Sequence, residues 1–276
     1  MAAGSRHGTV ALNYGGTVSN SVWAAGRYES VAERIEAIAE QTVDAANRRH
    51  PLQGAAVVDL ACGTGSAALA AAARGALVTG VDVTPELIDV GKQRAADAGH
   101  SVTWVTADAA HTGLPEHSFD AAVSNMGIIF VDPEGQLPEL ARLLKPAGVL
   151  SISSWRRDAS NPFYDPILAV LGAPPNQGFS PDQWGDPAIV QRRLAADFSD
   201  VDTAEGRLTW RFASIDATLH FLEHESPMHV DLFKRVDDDQ RRQLTDAFAD
   251  AIRPHVTADG VAFDSSYVVV SAIRRG

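Results

Sequence analysis

Apolar and polar positions follow two different spacings in the first 155 residues. Between 28 and 46, apolar side chains recur every three or four residues from Val31 to Val43, which predicts an amphipathic helix ending at NRRHP. Compact apolar runs then predict short buried strands, because such runs are bounded by turn residues. The runs begin at residues 55–60 and continue with ALVTGVDV, HSVTWVTAD, SFDAAVSNMG and VLSISSW.

The segments between these strands have the features of helices. SAALAAAAR is rich in strong helix formers and is followed by Gly75. TPELIDVGKQRAADAG begins with Thr84 as the expected cap and Pro85 at the first helical position. PEGQLPELARLLKPAG predicts a third helix. Regular alternation of strands and helices predicts right-handed crossovers and a parallel sheet covered on both faces.

The alternation ends after Trp155. Residues 156–185 are rich in Pro, Gly, Asn and Asp, and then a helix is predicted at about 187–196, a strand at AEGRLTWRF, helices within 214–253 and a final strand at FDSSYVVVSAIRR. We therefore predict an α/β fold: a Rossmann-like, mainly parallel seven-stranded sheet with helices on both faces and a partly helical cap over its C-terminal edge.

The expected organisation is a single domain over residues 1–276. Its parts are a lid at about 1–50, a core at about 51–155, cap insertions at about 156–200 and 213–262, and a C-terminal strand at about 263–275.

The amino-acid composition of the chain limits the partners that it is expected to bind. A formal charge of −12 opposes non-specific binding to nucleic acid and to anionic membranes. No apolar run reaches the length of a membrane span, so we expect a cytoplasmic protein. The scarcity of lysine relative to arginine, with abundant alanine, suggests a bacterial source. The single cysteine, Cys62, excludes an internal disulfide, and we expect no metal site.

Three aspartates follow three successive strands. Asp59, Asp82 and Asp108 are each about one strand–helix unit apart, so all three are expected at the carboxyl edge of one sheet, where open α/β folds bind ligands. A ligand that contacts all three must present hydrogen-bond donors or cations in a row. S-adenosylmethionine meets this requirement with an ammonium, a ribose diol and an adenine amino group.

The turn after the first strand has a second interpretation. GTGSAA, from Gly63 to Ala68, matches the glycine pattern of dinucleotide-binding folds, with Asp82 placed for a ribose. A pyrophosphate is unfavourable beside Asp59, whereas Gly63 and Gly65 would let the backbone approach a methionine moiety closely. An NAD-linked oxidoreductase stays an alternative, although no tyrosine is followed by a lysine four residues later.

Three stretches together resemble the class I S-adenosylmethionine-dependent methyltransferases, in their ubiquinone-biosynthesis-like small-molecule branch. They are VVDLACGTGSAALAAAARGALVTGVDVTPELI, VTADAAHTGLP and FDAAVSNMGIIF with ELARLLKPAGVLSISSW. The resemblance covers about residues 20–156. The sequence departs from the family pattern at Ala61, where a glycine is usual, and at Ala147 in KPAG.

The resemblance implies S-adenosylmethionine as cofactor, S-adenosylhomocysteine as product, and a set of cofactor-binding residues. Asp59 would hold the ammonium, Asp82 the ribose hydroxyls, and Asp108 the adenine edge. The other implied contacts are Ala61, Gly63 and Gly65 along the methionine, Val83 and Ala109 at the adenine, Asn125 beneath the sulfonium, and Trp23 and Tyr28 in a segment closing over the cofactor.

The acceptor is expected to be a small molecule enclosed by the cap. A hydroxyl acceptor needs a base, and the candidates are His220 and His224, four residues apart on one helix face, and Asp132 after the fourth strand. O-methylation of a secondary metabolite, quinol or sugar is the leading hypothesis. N-methylation of a small amine and a non-catalytic cofactor-binding module are alternatives, and both monomer and homodimer stay open.

Overall fold

The computed structural model describes residues 20–174 and 178–276. The part of the predicted lid before Asn20 therefore lies outside the described residues, as do three residues of the first cap insertion. The described chain begins with three helices: α1 (Asn20–Trp23), α2 (Tyr28–Arg34) and α3 (Glu36–Arg49). The single helix predicted over this region is interrupted at Ile35, whose φ of −103° and ψ of 9° leave helical geometry.

A mixed sheet forms the centre of the fold. Its strands are β1 (Ala56–Leu60), β2 (Leu77–Asp82), β3 (Val102–Thr106), β4 (Phe119–Asn125), β5 (Leu144–Trp155), β6 (Phe198–Phe212), β7 (Val256–Thr257) and β8 (Gly260–Arg274). Their spatial order is β3-β2-β1-β4-β5-β8-β6, with the two-residue β7 paired to β8 outside this path. The first five strands are parallel, and β8 runs antiparallel to both of its neighbours. The predicted mainly parallel sheet is confirmed, with β7 as a short addition to the seven strands.

Helices cover both faces of the sheet, as predicted. They are α4 (Ser66–Ala73), α5 (Pro85–Asp97), α6 (Pro133–Leu143), α7 (Asp165–Leu171), α8 (Pro187–Leu194), α9 (Ile215–His220), α10 (Pro227–Arg235) and α11 (Asp238–Ile252). Neighbouring residues of β1 point to opposite faces, so Val57 packs with the alanine-rich α4 and Val58 packs in the larger core beneath α6. This alternation fixes which side chains reach the carboxyl edge.

The long strands β6 and β8 carry the cap. Phe163 lies at the centre of its aromatic cluster, with ring centroids 4.9 Å from Phe263, 5.2 Å from Trp210 and 6.0 Å from Phe221. The aromatic side chains of the cap are thus in part committed to packing with one another. No helix in the described part of the chain is long and apolar enough to cross a bilayer.

Candidate functional site

Asp59 lies at the carboxyl end of β1 and is almost completely buried, with 1% of its surface exposed. Its Oδ2 accepts a hydrogen bond of 2.8 Å from the backbone N–H of Ala68, in the first turn of α4. Its Oδ1 is buried and has no hydrogen-bond partner among residues 20–174 and 178–276. Burial, with a smaller contribution from the charge of Asp82, raises the pKa of Asp59 to about 8. A cationic donor placed at Oδ1 would satisfy this oxygen and favour the ionised form.

Asp82 lies beside Asp59 at the end of β2. Its Oδ2 accepts from the N–H of Gly63 at 2.8 Å and its Oδ1 from the N–H of Thr84 at 2.9 Å. Each carboxylate oxygen keeps capacity for a further donor, such as a hydroxyl. Burial raises the pKa of Asp82 despite these backbone bonds. Thr84 precedes α5 as expected, but its side chain makes no capping hydrogen bond; its backbone N–H is instead bound by Asp82.

The turn between β1 and α4 is held in left-handed geometry. Ala61, Gly63 and Gly65 have φ values of +50°, +54° and +84°. A Cβ at Gly63 would lie 2.9 Å from the ring of Tyr28, and a Cβ at Gly65 would lie 2.5 Å from the indole of Trp104. Both glycines are therefore required by contacts within the chain, and Ala61 adopts a conformation that costs roughly 1–2 kcal/mol for a residue with a Cβ.

Trp104 on β3 supports this turn, and the sequence did not identify it as a site residue. Its indole occupies a slot formed by three glycines, because a Cβ at Gly80 or Gly91 would also come within 2.8 Å of the ring. The slot joins the turn, β2 and α5. The sequence does not show that these residues meet, because the three glycines lie on separate segments of the chain.

The N-terminal segment covers the turn. Tyr28 lies over Gly63, and burial together with the nearby carboxylates of Asp82 and Asp59 raises the pKa of its hydroxyl. Trp23 packs edge-on against Phe130, with ring centroids 4.7 Å apart. The structure thus places both predicted lid residues beside the sheet edge. A pocket remains beneath them, with a lining that includes Tyr28, Cys62, Thr64 and Asn125.

Asn125 closes β4 on the other side of this pocket. Its Oδ1 accepts a hydrogen bond of 2.7 Å from Ser153 Oγ on β5. Its amide nitrogen is then oriented away from Ser153. The structure therefore brings Asn125 to the same edge as Asp59 and Asp82.

The third aspartate differs from the other two. Asp108 is exposed, and its Oδ1 accepts from the N–H of Ala110 at 2.8 Å within its own turn, while Ala109 is buried. Val83, after β2, is half-buried. These residues line the far end of the edge from Asn125.

A stripe of polar side chains on α6 forms hydrogen bonds to the loop after Asp108. The sequence analysis did not identify these side chains as site residues. Gln136 Nε2 donates to the carbonyl of Ala109 at 3.1 Å, and Glu139 Oε1 accepts from both the N–H and the hydroxyl of Thr112. Arg142 donates to the carbonyl of Leu114 at 2.7 Å. Burial opposes the ionisation of Glu139, but hydrogen bonds from Arg142 and Thr112 outweigh it and hold its pKa at about 2. The three-residue spacing of Gln136, Glu139 and Arg142 was the available signal.

The predicted bases do not converge in one place. His220 and His224 are both exposed, with ring centroids 4.7 Å apart, and His220 Nε2 is 3.9 Å from Glu225 Oε1. Asp132 is exposed and caps α6 by accepting from the N–H of Glu134 at 2.9 Å. Asp132 thus serves as the N-cap of α6.

A third histidine of the same stretch is structural. His229 contacts Ser226 Oγ at 2.7 Å and the carbonyl of Phe163 at 3.0 Å through its two ring nitrogens. Burial lowers its pKa to about 4, so it is neutral at neutral pH. It serves to fix Phe163 in the aromatic cluster of the cap.

The donor set of this edge fits S-adenosylmethionine. The unpartnered Oδ1 of Asp59 suits an ammonium, and the spare lone pairs of Asp82 suit hydroxyls. A pyrophosphate beside Asp59 would face a buried acceptor with no donor to offer it.

Comparisons with known proteins agree with this geometry. Residues 58–152 match the family model described as a methyltransferase domain. An uncharacterized protein of Mycobacterium bovis is 30% identical over 230 residues, which are 80% of this chain and 81% of the relative. The aklanonic acid methyltransferase DauC of a Streptomyces species is 29% identical over 148 residues, which are 51% of this chain and 67% of the relative.

Solved structures show the same fold. The YcgJ protein of Bacillus subtilis superposes with a TM-score of 0.58 at 16% identity, covering 86% of this chain and 99% of that one. The carboxylates at the sheet edge, the glycine turn and the matched family model lead to one conclusion. The chain belongs to the class I S-adenosylmethionine-dependent methyltransferases.

Proposed function

We propose that this enzyme methylates a small-molecule acceptor, with a hydroxyl as the receiving group. The observation that carries the proposal is the position of the cap: the segment Pro181–Gly185 packs against the carboxyl end of β5, where Ser154 Oγ donates to the carbonyl of Pro181 at 3.3 Å. An edge covered in this way suits an enclosed small acceptor better than a polymer.

The residues of the cofactor half take the following roles in this proposal. Asp59 binds the ammonium through Oδ1, Asp82 accepts from the ribose hydroxyls, and Asp108 recognises the adenine edge. The remaining contacts are Ala61, Gly63 and Gly65 to the methionine, Val83 and Ala109 to the adenine, Asn125 beneath the sulfonium, and Trp23 and Tyr28 as the cover.

When bound, the cofactor supplies an electrophilic methyl group on a sulfonium. The chain contributes alignment of the acceptor and exclusion of water, since in-line displacement depends on geometry. A hydroxyl acceptor also has to lose its proton. His220, His224 and Asp132 stay the candidates for that base, and their exposure means that the proton can pass directly to solvent.

The organisation of the chain follows the same division. We propose one domain over residues 1–276, with a lid at about 1–50, a core at about 51–155, cap insertions at about 156–200 and 213–262 and a C-terminal strand at about 263–275.

The similarity to a methyltransferase that is named for aklanonic acid supports a small organic acceptor.

The test is methyl transfer from cofactor labelled at the methyl group to pairs of aromatic and sugar acceptors that differ only in bearing a hydroxyl or an amine. We expect labelled product from hydroxyl acceptors, with the label on oxygen by mass spectrometry. Label on nitrogen would make the N-methyltransferase alternative correct. His220→Ala and His224→Ala should lower the rate if these histidines take the proton, and His100→Ala, at a half-buried position after α5, is the control.

A further inference from the structure

Two buried hydrogen-bond donors in the cap have no acceptor in the part of the chain that the structure describes. Trp184, in the turn Pro181–Gly185, is fully buried, and its Nε1 has no hydrogen-bond partner. Arg193, on α8, has a buried Nη1 that also lacks one. Leaving a buried donor unpaired costs about 1–3 kcal/mol, and more for a charged group. Two such atoms in adjacent side chains therefore call for an explanation.

The two side chains form one unit. The guanidinium of Arg193 stacks over the indole of Trp184, 4.8 Å from the ring centroid, and its Nη2 donates to the neutral Oε1 of Gln183. Among the described residues, no carboxylate lies within salt-bridge distance of this guanidinium. Burial lowers the pKa of Arg193, and the charge of Asp132 acts on it only from farther away. A half-buried cation is thus held in place without a carboxylate in direct contact.

The unit lies on the acceptor side of the sheet edge. The backbone of Gly185 rests on the carbonyl of Trp155 so closely that a Cβ would come within 2.3 Å of that oxygen. The turn that carries Trp184 also contacts Ile128–Phe130, the segment that follows β4. The aspartates occupy the ends of β1, β2 and the loop after β3, so the ends of β4 and β5 are the part left for a second substrate.

We propose that Trp184 Nε1 and Arg193 Nη1 bind a carboxylate of the methyl acceptor. The inference rests on the proposed function, and it names the acceptor class more closely: a small molecule with a negatively charged oxygen group that anchors it in the cap. A carboxylate can accept from Arg193 Nη1 with one oxygen and from the indole N–H with the other. Both donors are closed to solvent, so the turn Pro181–Gly185 has to shift when the acceptor enters.

The test observes the donor itself. Indole N–H resonances of the full chain labelled with nitrogen-15 are recorded with saturating S-adenosylhomocysteine, and Trp184→Phe assigns the Trp184 signal. Benzoate serves as the probe and benzamide as its neutral counterpart. We expect benzoate, but not benzamide, to move the Trp184 resonance in a saturable way.

Two variants distinguish a specific role of Arg193 in carboxylate binding from a general effect of removing positive charge. Arg193→Gln should weaken benzoate binding about tenfold or more, because it removes the cation and keeps the contact to Gln183 possible. Arg192→Gln, at the exposed neighbouring position, should leave benzoate affinity unchanged. A Trp184 resonance that stays fixed with benzoate, acetate and inorganic phosphate overturns the proposal, and a response to phosphate alone overturns the assignment to a carboxylate.

Binding of S-adenosylhomocysteine and binding of benzoate are evaluated separately. Absence of S-adenosylhomocysteine binding contradicts the proposed function, and the benzoate titration is then repeated on the protein alone. A fixed resonance in protein that does bind S-adenosylhomocysteine contradicts only the anchor.

Discussion

The two halves of the sheet edge carry unpaired groups of opposite kind. At the end of β1, Asp59 presents a buried acceptor without a donor, and in the cap Trp184 and Arg193 present buried donors without an acceptor. The first half is negative and the second is positive. A cationic cofactor and an anionic acceptor would each complete one half, and neither would fit the other half well.

The difference shows how one edge can sort two substrates. The cofactor half is built from strand ends and backbone N–H groups, so its geometry is set by the core. The acceptor half is built from side chains of a cap turn and a short helix, which pack on the core but are not part of it. We expect changes in the first half to affect cofactor affinity and changes in the second to affect acceptor choice.

The largest expected effect is that of Asp82→Ala. Its carboxylate binds the N–H groups of Gly63 and Thr84 and is proposed to accept the ribose hydroxyls, so its loss should weaken S-adenosylhomocysteine binding by about 1–3 kcal/mol. Calorimetric titration measures this, with Asp89→Ala on the exposed face of α5 as the control. Unchanged affinity would show that Asp82 does not bind the cofactor.

The pH dependence of cofactor binding tests Asp59. Because its pKa is raised to about 8, the carboxyl is mostly protonated at lower pH and must ionise to pair with an ammonium. Affinity for S-adenosylhomocysteine should therefore rise by up to about tenfold per pH unit below pH 8 and level off above it. The stability that the protonated form contributes is lost as pH rises from about 4 to about 8.

Asp59→Asn serves as the matched variant for this profile. The amide cannot ionise, so its cofactor affinity should lose the dependence on pH that Asp59 contributes. A profile identical to that of the natural chain would mean that another group titrates.

A smaller effect is expected for Gln136→Leu. The variant removes the hydrogen bond from α6 to the carbonyl of Ala109, at a cost of about 1 kcal/mol in stability, and should weaken cofactor binding a few-fold through the adenine-side loop. Gln93→Leu, which removes an exposed hydrogen bond to Asp97 on α5, is the control. If the two variants change cofactor affinity equally, the polar side chains of α6 do not contribute to cofactor binding.

The smallest expected effect is that of relieving backbone strain, which we compare at one position inside the site and one outside it. Ala61 and Ala147 both have positive φ, +50° and +62°. Replacing Ala147 with glycine should stabilise the fold by roughly 0.5–1 kcal/mol, because the relief of strain exceeds the entropy cost of glycine. Chemical denaturation measures the gain. Ala61→Gly should give a similar gain, and only Ala61→Gly should also change cofactor affinity.

Much of the cofactor half could be predicted because its determinants are local. Asp59 and Asp82 each end a recognisable strand, and parallel strands align their carboxyl ends, so their proximity follows from the pattern. Even the departures from the family pattern were visible, since Ala61 and Ala147 stand where glycine is usual. The exposure of Asp108 was not predictable, because it depends on how its loop turns.

The acceptor half was less accessible to sequence reasoning because its contacts join distant segments. Nothing in the sequence near Arg193 indicated that it would stack on Trp184. The histidines show the same limit. Three of them lie within ten residues, yet His229 is buried between Ser226 and Phe163 while His220 and His224 are exposed.

The glycine slot around Trp104 has a consequence for how this sequence can diverge. Gly65, Gly80 and Gly91 each face the indole too closely to accept a side chain, so a substitution at any of them is deleterious while the tryptophan is present. Exchange of Trp104 for a smaller residue has to come first, and it would open Gly80 and Gly91, whose backbones are ordinary, to alanine. In related sequences we therefore expect these positions to change together and in a fixed order.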